Sequence, residues 1–176
     1  FTPFWKRCLI QPDPAPPLAA PKRLCAPEKW PKSLELDELE LEPRLNWAGG
    51  LRAAWQPGEA GAKATLRRFL SDEFTDYAQQ RNRPDIVGTS RLSPHLHFGE
   101  ITPAQIWKAV RRHAEAARIP EATWRTSPFL TDLAWREFAH HLLYHFPQTP
   151  EQPLRREFSR FAWRTEPAWL RAWQRG

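Results

Sequence analysis

The chain has 176 residues, begins at Phe1 and contains no Met, so we expect one domain, or most of one, from a longer protein. A mean hydropathy of −0.67 and the lack of any long apolar run exclude a transmembrane helix, two Cys are too few for a disulfide scaffold or a zinc site, and seven Gly without β-branched runs argue against a sheet-rich fold. The net charge of +6 lies in residues 47–176 and comes mainly from Arg, which suits a polyanion such as nucleic acid but also an ordinary basic surface.

The N-terminal part of the chain is rich in proline. Prolines cluster in residues 11–17, and proline lacks the backbone donor that a helix needs, so residues 1–33 are predicted to form an extended linker. Residues 34–42 alternate in part between Leu and acidic side chains, which fits either a short strand or a solvated turn.

Helical spacing of apolar side chains begins near residue 58. The first apolar stripe predicts a helix that stops near Asn82, before Pro84. This stripe consists of Leu66, Phe69, Leu70, Phe74 and Tyr77. Ser93 is the predicted N-cap of a short helix that ends at Gly99.

Three further helices are predicted downstream. Thr102 and Gln105 form a capping-box pattern, which begins a helix that runs to about residue 118. A helix from Pro128 to about residue 146 and a last one over residues 167–174 follow. The sequence therefore predicts an all-α architecture of five or so helices joined by short loops.

A cluster of hydroxyls with one Arg precedes the short helix at residue 93. Thr89, Ser90 and Ser93 offer hydroxyls, and Arg91 adds a positive charge. Backbone N–H groups and the helix dipole attract phosphate at such a position, although simple helix capping by the same residues is the alternative.

Four side chains follow one another along one side of the helix predicted from residue 128. Phe129, Asp132, Trp135 and Arg136 fall at i, i+3, i+6 and i+7. Aromatic rings beside a carboxylate can hold a flat heterocycle, but spacing alone favours a core stripe with a salt bridge. The paired His residues lack a third ligand at a recognised spacing, so no metal site is expected.

Three blocks of the sequence stand out, namely residues 77–100, 129–138 and 163–176. In this order they resemble the DNA photolyase/cryptochrome family, in particular bacterial photolyases that repair cyclobutane pyrimidine dimers. The family combines an N-terminal α/β antenna domain with a C-terminal helical domain that holds FAD. The resemblance implies that residues 1–50 are the interdomain linker and that residues 51–176 are the N-terminal half of the helical FAD-binding domain, without the antenna domain and the C-terminal half.

The resemblance also implies roles for individual residues. Cofactor binding is implied for one tyrosine, for the loop that grips the FAD pyrophosphate and for one arginine: Tyr77, Thr89, Ser90, Arg91, Leu92, Ser93 and Arg136. Substrate binding is implied for Phe129, Asp132 and Trp135, and catalysis for Asp132, Trp135 and Trp163, the last as the outermost Trp of an electron-transfer chain. Asp132 stands where repair enzymes usually have Glu, and its carboxylate is one methylene shorter.

The implied activity is light-driven DNA repair. A deoxyribodipyrimidine photolyase flips the dimer out of damaged DNA and splits it with an electron from excited, reduced FAD. The alternative is a cryptochrome-like blue-light photoreceptor that binds FAD without repair, and the lesion stays open between a cyclobutane dimer and a (6-4) product. We expect a monomeric cytoplasmic protein with no membrane partner, and a second chromophore of folate or deazaflavin type in the antenna domain. The 176-residue piece alone is expected to be inactive.

Overall fold

The computed structural model describes residues 1–42, 44–162 and 164–176. Across these ranges the chain forms α-helices and two short 3-10 helices, and it contains no strand, which confirms the predicted all-α fold. The α-helices are α1 (Thr2–Leu9), α2 (Gly49–Ala54), α3 (Gly58–Asp72), α4 (Tyr77–Gln80), α5 (Ser93–His97), α6 (Pro103–Ala116), α7 (Glu121–Arg125), α8 (Pro128–His145) and α9 (Pro167–Arg175). The 3-10 helices span Leu36–Leu39 and Arg156–Arg160.

The chain divides into two compact units, one formed by Thr2–Leu133 and the other by Phe1 with Ala134–Gly176. The first unit contains the hydrophobic core, to which α3, α5, α6, α7 and the start of α8 contribute. Its most deeply buried large side chains come from four parts of the chain. They are Phe69, Leu92, Ile106, Val110 and Leu130.

In the second unit most large apolar side chains are exposed. Helix α9 is short and amphipathic, yet its Trp169 and Trp173 are 63% and 87% exposed. Because a helix of nine residues is marginal unless its apolar face is buried, α9 gains little stability from packing within this unit.

The capping-box prediction at the start of α6 is confirmed. The Thr102 hydroxyl accepts a hydrogen bond from the Gln105 N–H at 3.2 Å, and the Gln105 side chain accepts one from the Thr102 N–H at 2.7 Å. Pro103 occupies the first helical position, where its missing N–H costs nothing. The register of α6 and its buried apolar face follow from this start.

The long helix predicted up to residue 82 is divided into α3 and α4. The Phe69 carbonyl accepts hydrogen bonds from the N–H groups of both Glu73 and Phe74, at 3.0 and 2.9 Å, and this widened turn ends α3. The apolar stripe still points inward, because Phe74 is 8% exposed and Tyr77 packs against the core beyond the break.

The proline-rich N-terminal segment differs from the fully extended prediction at its beginning. Residues Thr2–Leu9 form α1, which is possible because Pro3 lies in the first turn and the proline cluster begins only after the helix. Asp13 then forms ion pairs with Arg111 at 2.7 Å and with Arg125 at 3.3 Å. Residues 14–42 are exposed, and residues 36–39 form a 3-10 helix where a strand or a turn was expected.

Candidate functional site

A carboxylate and a phenol meet at the surface of the first unit. The Tyr77 hydroxyl donates a hydrogen bond to Asp132 Oδ2 at 2.8 Å, and Arg81 Nη1 donates to the same oxygen at 2.6 Å. Tyr77 begins α4 and Asp132 lies in the second turn of α8, so the contact joins helices that are far apart in sequence. The Arg81 guanidinium also lies 5.9 Å from the centre of the Tyr77 ring.

The environment keeps Tyr77 protonated. Burial raises the pKa of Tyr77 well above its ordinary value, and the hydrogen bond to Asp132 raises it further. The phenol therefore acts as a hydrogen-bond donor at neutral pH. Asp132 is one-third exposed, and its Oδ1 has no hydrogen-bond donor among the described residues, so the acceptor capacity of this oxygen is unused.

Phe129 lies on the inner side of the same contact. Its ring is 6% exposed and packs against Phe69 and Tyr77, with centroid distances of 4.5 and 5.6 Å. The structure thus places Phe129 in the core of the first unit, behind Tyr77. Its predicted contact with substrate stays a prediction.

The loop from Gly88 to Ser93 begins against the end of α4. Gly88 is buried, and a Cβ at this position would lie 2.8 Å from the carbonyl oxygen of Gln80. Only glycine lets the backbone pass this close. The remainder of the loop turns outward, so that Thr89 and Arg91 are exposed.

Capping does not explain the hydroxyls of this loop. Leu92 is the N-cap residue of α5 and is buried, whereas Ser93 is the first helical residue, not the predicted N-cap. Among the described residues the Ser93 hydroxyl has no hydrogen-bond partner, and Ser90 Oγ accepts only a long bond of 3.4 Å from the Leu92 N–H. These hydroxyls are therefore available to an external acceptor.

Arg91 adopts an unusual backbone conformation. Its φ of +53° lies in the left-handed region, which is unfavourable for a residue with a Cβ. Its guanidinium lies over the ring of Trp55, with Cζ 5.7 Å from the ring centre. Such strain is often retained where it serves to place a side chain.

Arg91 and Thr89 border an open cleft of about 600 Å³, which we call the arginine cleft. It is lined by Arg81, Asn82, Arg83, Pro84, Asp85, Ile86, Val87, Thr89 and Arg91. Arg83 is paired with Asp85 at 2.5 Å, and this bond lowers the pKa of the Asp85 carboxyl. With three guanidiniums and one carboxylate, the cleft is suited to bind phosphate.

The remaining predicted site residues belong to the second unit or lie outside the described residues. Trp135 stacks on Phe1 with ring centres 3.7 Å apart and remains 49% exposed. Arg136 forms an ion pair with Glu137 at 2.6 Å. Trp163 lies outside the described residues, so its predicted role in electron transfer stays a prediction.

The described ranges contain neither a metal-binding cluster nor a membrane-spanning helix. No group of three or more His, Cys, Asp or Glu side chains in residues 1–42, 44–162 and 164–176 is placed to hold a metal ion. No helix in the same ranges is long and apolar enough to cross a membrane. Cys8 and Cys25 are not joined by a disulfide bond.

Known proteins are similar to this chain in sequence and in helical fold. A family model described as the FAD binding domain of DNA photolyase matches residues 129–176. The deoxyribodipyrimidine photo-lyase of Agrobacterium fabrum is 38% identical over the whole chain, which spans 36% of that relative's length. The crystal structure of a bacterial class III photolyase from Agrobacterium tumefaciens superposes with a TM-score of 0.86 and 38% identity, covering 99% of this chain and 36% of that one.

Along its whole length the chain is similar to members of the DNA photolyase/cryptochrome family. Cryptochrome-1 of Arabidopsis thaliana is also similar, with 29% identity over the whole chain, which spans 26% of that protein. The family model of the FAD-binding domain covers α9 and nearly all of α8, and the strand-free, helical fold of the described residues matches that domain. The division into a linker of residues 1–50 and a domain from residue 51 stays a prediction.

Sequence reasoning missed three residues at this candidate site. Arg81, Trp55 and Glu73 contact or act on the predicted residues. Trp55 and Glu73 do so at Arg91, which lies far from both in sequence, so no local spacing reveals these two. Glu73 is 7% exposed and bonded to Arg68, and burial raises the pKa of its carboxyl while the charges of Arg68 and Arg91 lower it. A signal for Arg81 was present, because it lies one helical turn after Tyr77.

Proposed function

We propose that the whole protein is a DNA photolyase that splits cyclobutane pyrimidine dimers in damaged DNA, using light and reduced FAD. The observation that carries this proposal is the position of Arg81, which lines the arginine cleft and also holds Asp132. One guanidinium thus joins a surface suited to phosphate with a carboxylate that has a free oxygen. The relatives named deoxyribodipyrimidine photo-lyase support the same activity.

The residues of the first unit fit the diphosphate of FAD. The exposed donors Thr89, Arg91 and Ser93 follow one another along one loop, and the cleft beside them has room for a phosphate group. Charge-assisted bonds from Arg91 and hydroxyl bonds from Thr89, Ser90 and Ser93 would hold the phosphate oxygens. Leu92 would anchor this loop by its burial in the core.

When FAD is bound in reduced form, it supplies the electron that opens the cyclobutane ring under blue or near-ultraviolet light. The protein's own residues position the substrate. Asp132 Oδ1 accepts a hydrogen bond from a ring N–H of the flipped-out pyrimidine pair, while Tyr77 and Arg81 fix the carboxylate through Oδ2. Its exposed position lets the shorter Asp side chain reach the base directly or through a water.

The other predicted residues complete this proposal. Trp135 would pack against the flipped-out bases, which is compatible with its half-exposed ring. Arg136 would lie near the flavin, Phe129 would back the site from the core, and Trp163 would carry electrons for flavin reduction. Exposed arginines would bind the DNA phosphates, so binding should weaken as salt concentration rises.

Three further properties belong to the same proposal. The whole protein would act as a monomer in the cytoplasm, and it would carry a second chromophore of folate or deazaflavin type outside this chain.

The test is repair by the whole protein with fully reduced flavin. An oligonucleotide with one thymine dimer is illuminated together with the protein. We expect the wild-type protein, with Asp132 present, to remove the dimer only in the light. The variant Asp132→Asn keeps the Tyr77 hydrogen bond but loses the ion pair, so it should repair more slowly while retaining FAD. No dimer loss by the wild-type protein, despite bound reduced FAD, would refute photolyase activity and favour a photoreceptor.

A further inference from the structure

Trp55 contacts two groups that the proposed mechanism does not connect. The Arg91 guanidinium lies over its ring, with Cζ 5.7 Å from the ring centre. The His95 ring also contacts Trp55 in an edge-type arrangement, with ring centres 6.5 Å apart and planes inclined by 70°. Trp55 is half-buried and follows directly after α2.

The His95 side of this contact is rigidly held. His95 is 2% exposed, and its Nδ1 lies 2.5 Å from Glu100 Oε2. The other oxygen of Glu100 accepts a hydrogen bond from the Gly58 N–H at 2.7 Å, at the start of α3. Hydrogen bonds therefore fix His95 against the segment that follows Trp55, and the Trp55 ring rests on this framework.

The Arg91 side differs from the other arginines of the arginine cleft. Arg81 is paired with Asp132 and Arg83 with Asp85, both within 2.6 Å. No carboxylate in the described ranges lies within ion-pairing distance of Arg91, although Glu73 feels its charge. The Arg91 guanidinium thus packs on the Trp55 ring, and the charge of Arg91 is left for an external anion.

We propose that Trp55 is a positioning residue that holds Arg91 at the rim of the arginine cleft for the FAD diphosphate. This inference rests on the proposed function. The negative face of the indole ring attracts the guanidinium without neutralising it, whereas a carboxylate would compete with the phosphate. The ring also compensates for the unfavourable backbone conformation of Arg91 by giving its side chain a fixed place.

The expected loss of FAD affinity follows from the partial exposure of the contact between Arg91 and Trp55. Cation–π contacts of this kind change binding by about two- to fivefold. In the whole protein, Trp55→Leu should weaken FAD binding by about this factor, and Trp55→Phe, which keeps an aromatic face, should restore most of it. FAD affinity is measured by titrating apoprotein with FAD and following flavin fluorescence.

A double-mutant cycle separates positioning from general packing. Trp55→Leu should have no further effect on FAD affinity in an Arg91→Ala background. Leu51→Ala is the matched control, because Leu51 lines the same apolar cavity as Trp55 but has no aromatic ring to hold Arg91. This variant should leave FAD affinity unchanged. Trp55→Met replaces Trp55→Leu if the latter does not fold.

The outcomes that overturn the inference are distinct from those that overturn the proposed function. Equal losses from Trp55→Leu and Trp55→Phe, additive losses in the cycle, or failure of both aliphatic variants to fold would show a merely structural role. Unchanged FAD affinity in Arg91→Ala would instead refute diphosphate binding by the loop, and the positioning role with it. Weak FAD binding in Arg91→Ala with no effect of Trp55→Leu would refute only the role of Trp55.

Discussion

Gly88 brings the loop of residues 88–93 against the end of helix α4, and replacing it with Ala tests how strongly this approach positions the loop. A Cβ at residue 88 would lie 2.6 Å from the Gln80 Cβ and 2.8 Å from the Gln80 carbonyl oxygen. Real Cβ atoms do not come within 3.0 Å of such atoms, so the backbone of the loop or of α4 must shift. The obstacle is mostly backbone and cannot rotate away.

The cost can be estimated from the overlap. Overpacking of this kind costs about 1–3 kcal/mol. If the whole cost is borne by the loop conformation that binds FAD, Gly88→Ala weakens FAD binding by about fivefold to 150-fold. A displaced loop would also move Arg91 away from Trp55, so the two contributions add in the same direction.

The assay is FAD affinity of the whole protein, measured on apoprotein by flavin fluorescence. Gly50→Ala is the matched control, because nothing lies within 4 Å of a Cβ at Gly50, which is inside helix α2, where Ala is the better helix former. We expect Gly50→Ala to bind FAD as the wild type does. If Gly88→Ala binds FAD equally well, the close approach to α4 does not position the loop.

Three further predictions concern stability of the whole protein. The pKa of Tyr77 is raised in the folded protein, so above about pH 10 the Tyr77 phenol loses its proton more readily in the unfolded chain, and the stability of the folded protein falls as pH rises. In thermal melts, Tyr77→Phe should make this fall shallower. Tyr144→Phe, at an exposed tyrosine, should leave it unchanged. Hydrogen bonds from His95 and Gly58 lower the pKa of the Glu100 carboxyl, so its contribution to stability is present above about pH 4.5 and is lost as pH falls. Glu100→Gln should lower the melting temperature at neutral pH and make its decrease toward acid pH shallower. An unchanged decrease toward acid pH would contradict this. Phe69→Ala, at a fully buried ring, should reduce the free energy of unfolding in urea by about 3–5 kcal/mol, and a loss below about 1 kcal/mol would contradict its place in the core.

Local signals in the sequence were sufficient for several helix boundaries. The capping box of Thr102 and Gln105 involves only neighbouring residues, so the pattern and its hydrogen bonds were predictable together. Pro128 also begins α8 as expected. By contrast, the break after α3 depends on burial of Phe74 in a core assembled from four other segments, and helical periodicity alone continued through it.

The candidate site was predictable only in its residue types. A loop with hydroxyls and an Arg indicates phosphate, helical spacing brought out Asp132 beside two aromatic residues, and the resemblance to a family added Tyr77 and the role of Asp132. The bond between Tyr77 and Asp132 spans 55 residues, and the bond from Arg81 to Asp132 spans 51. Such contacts depend on how helices pack, and no spacing in the sequence encodes them.

The ion pairs of Asp13 bear on whether the chain tolerates proteolytic cleavage and insertions in residues 14–42. Because Asp13 is already fastened to Arg111 and Arg125, helix α1 does not rely on the covalent path through residues 14–42 to stay attached to its unit. That path is exposed throughout, and closing a loop twice as long costs only about 0.6 kcal/mol more. A protease nick there should leave the two fragments associated, and a fluorescent label or an inserted peptide should be accepted without loss of the fold.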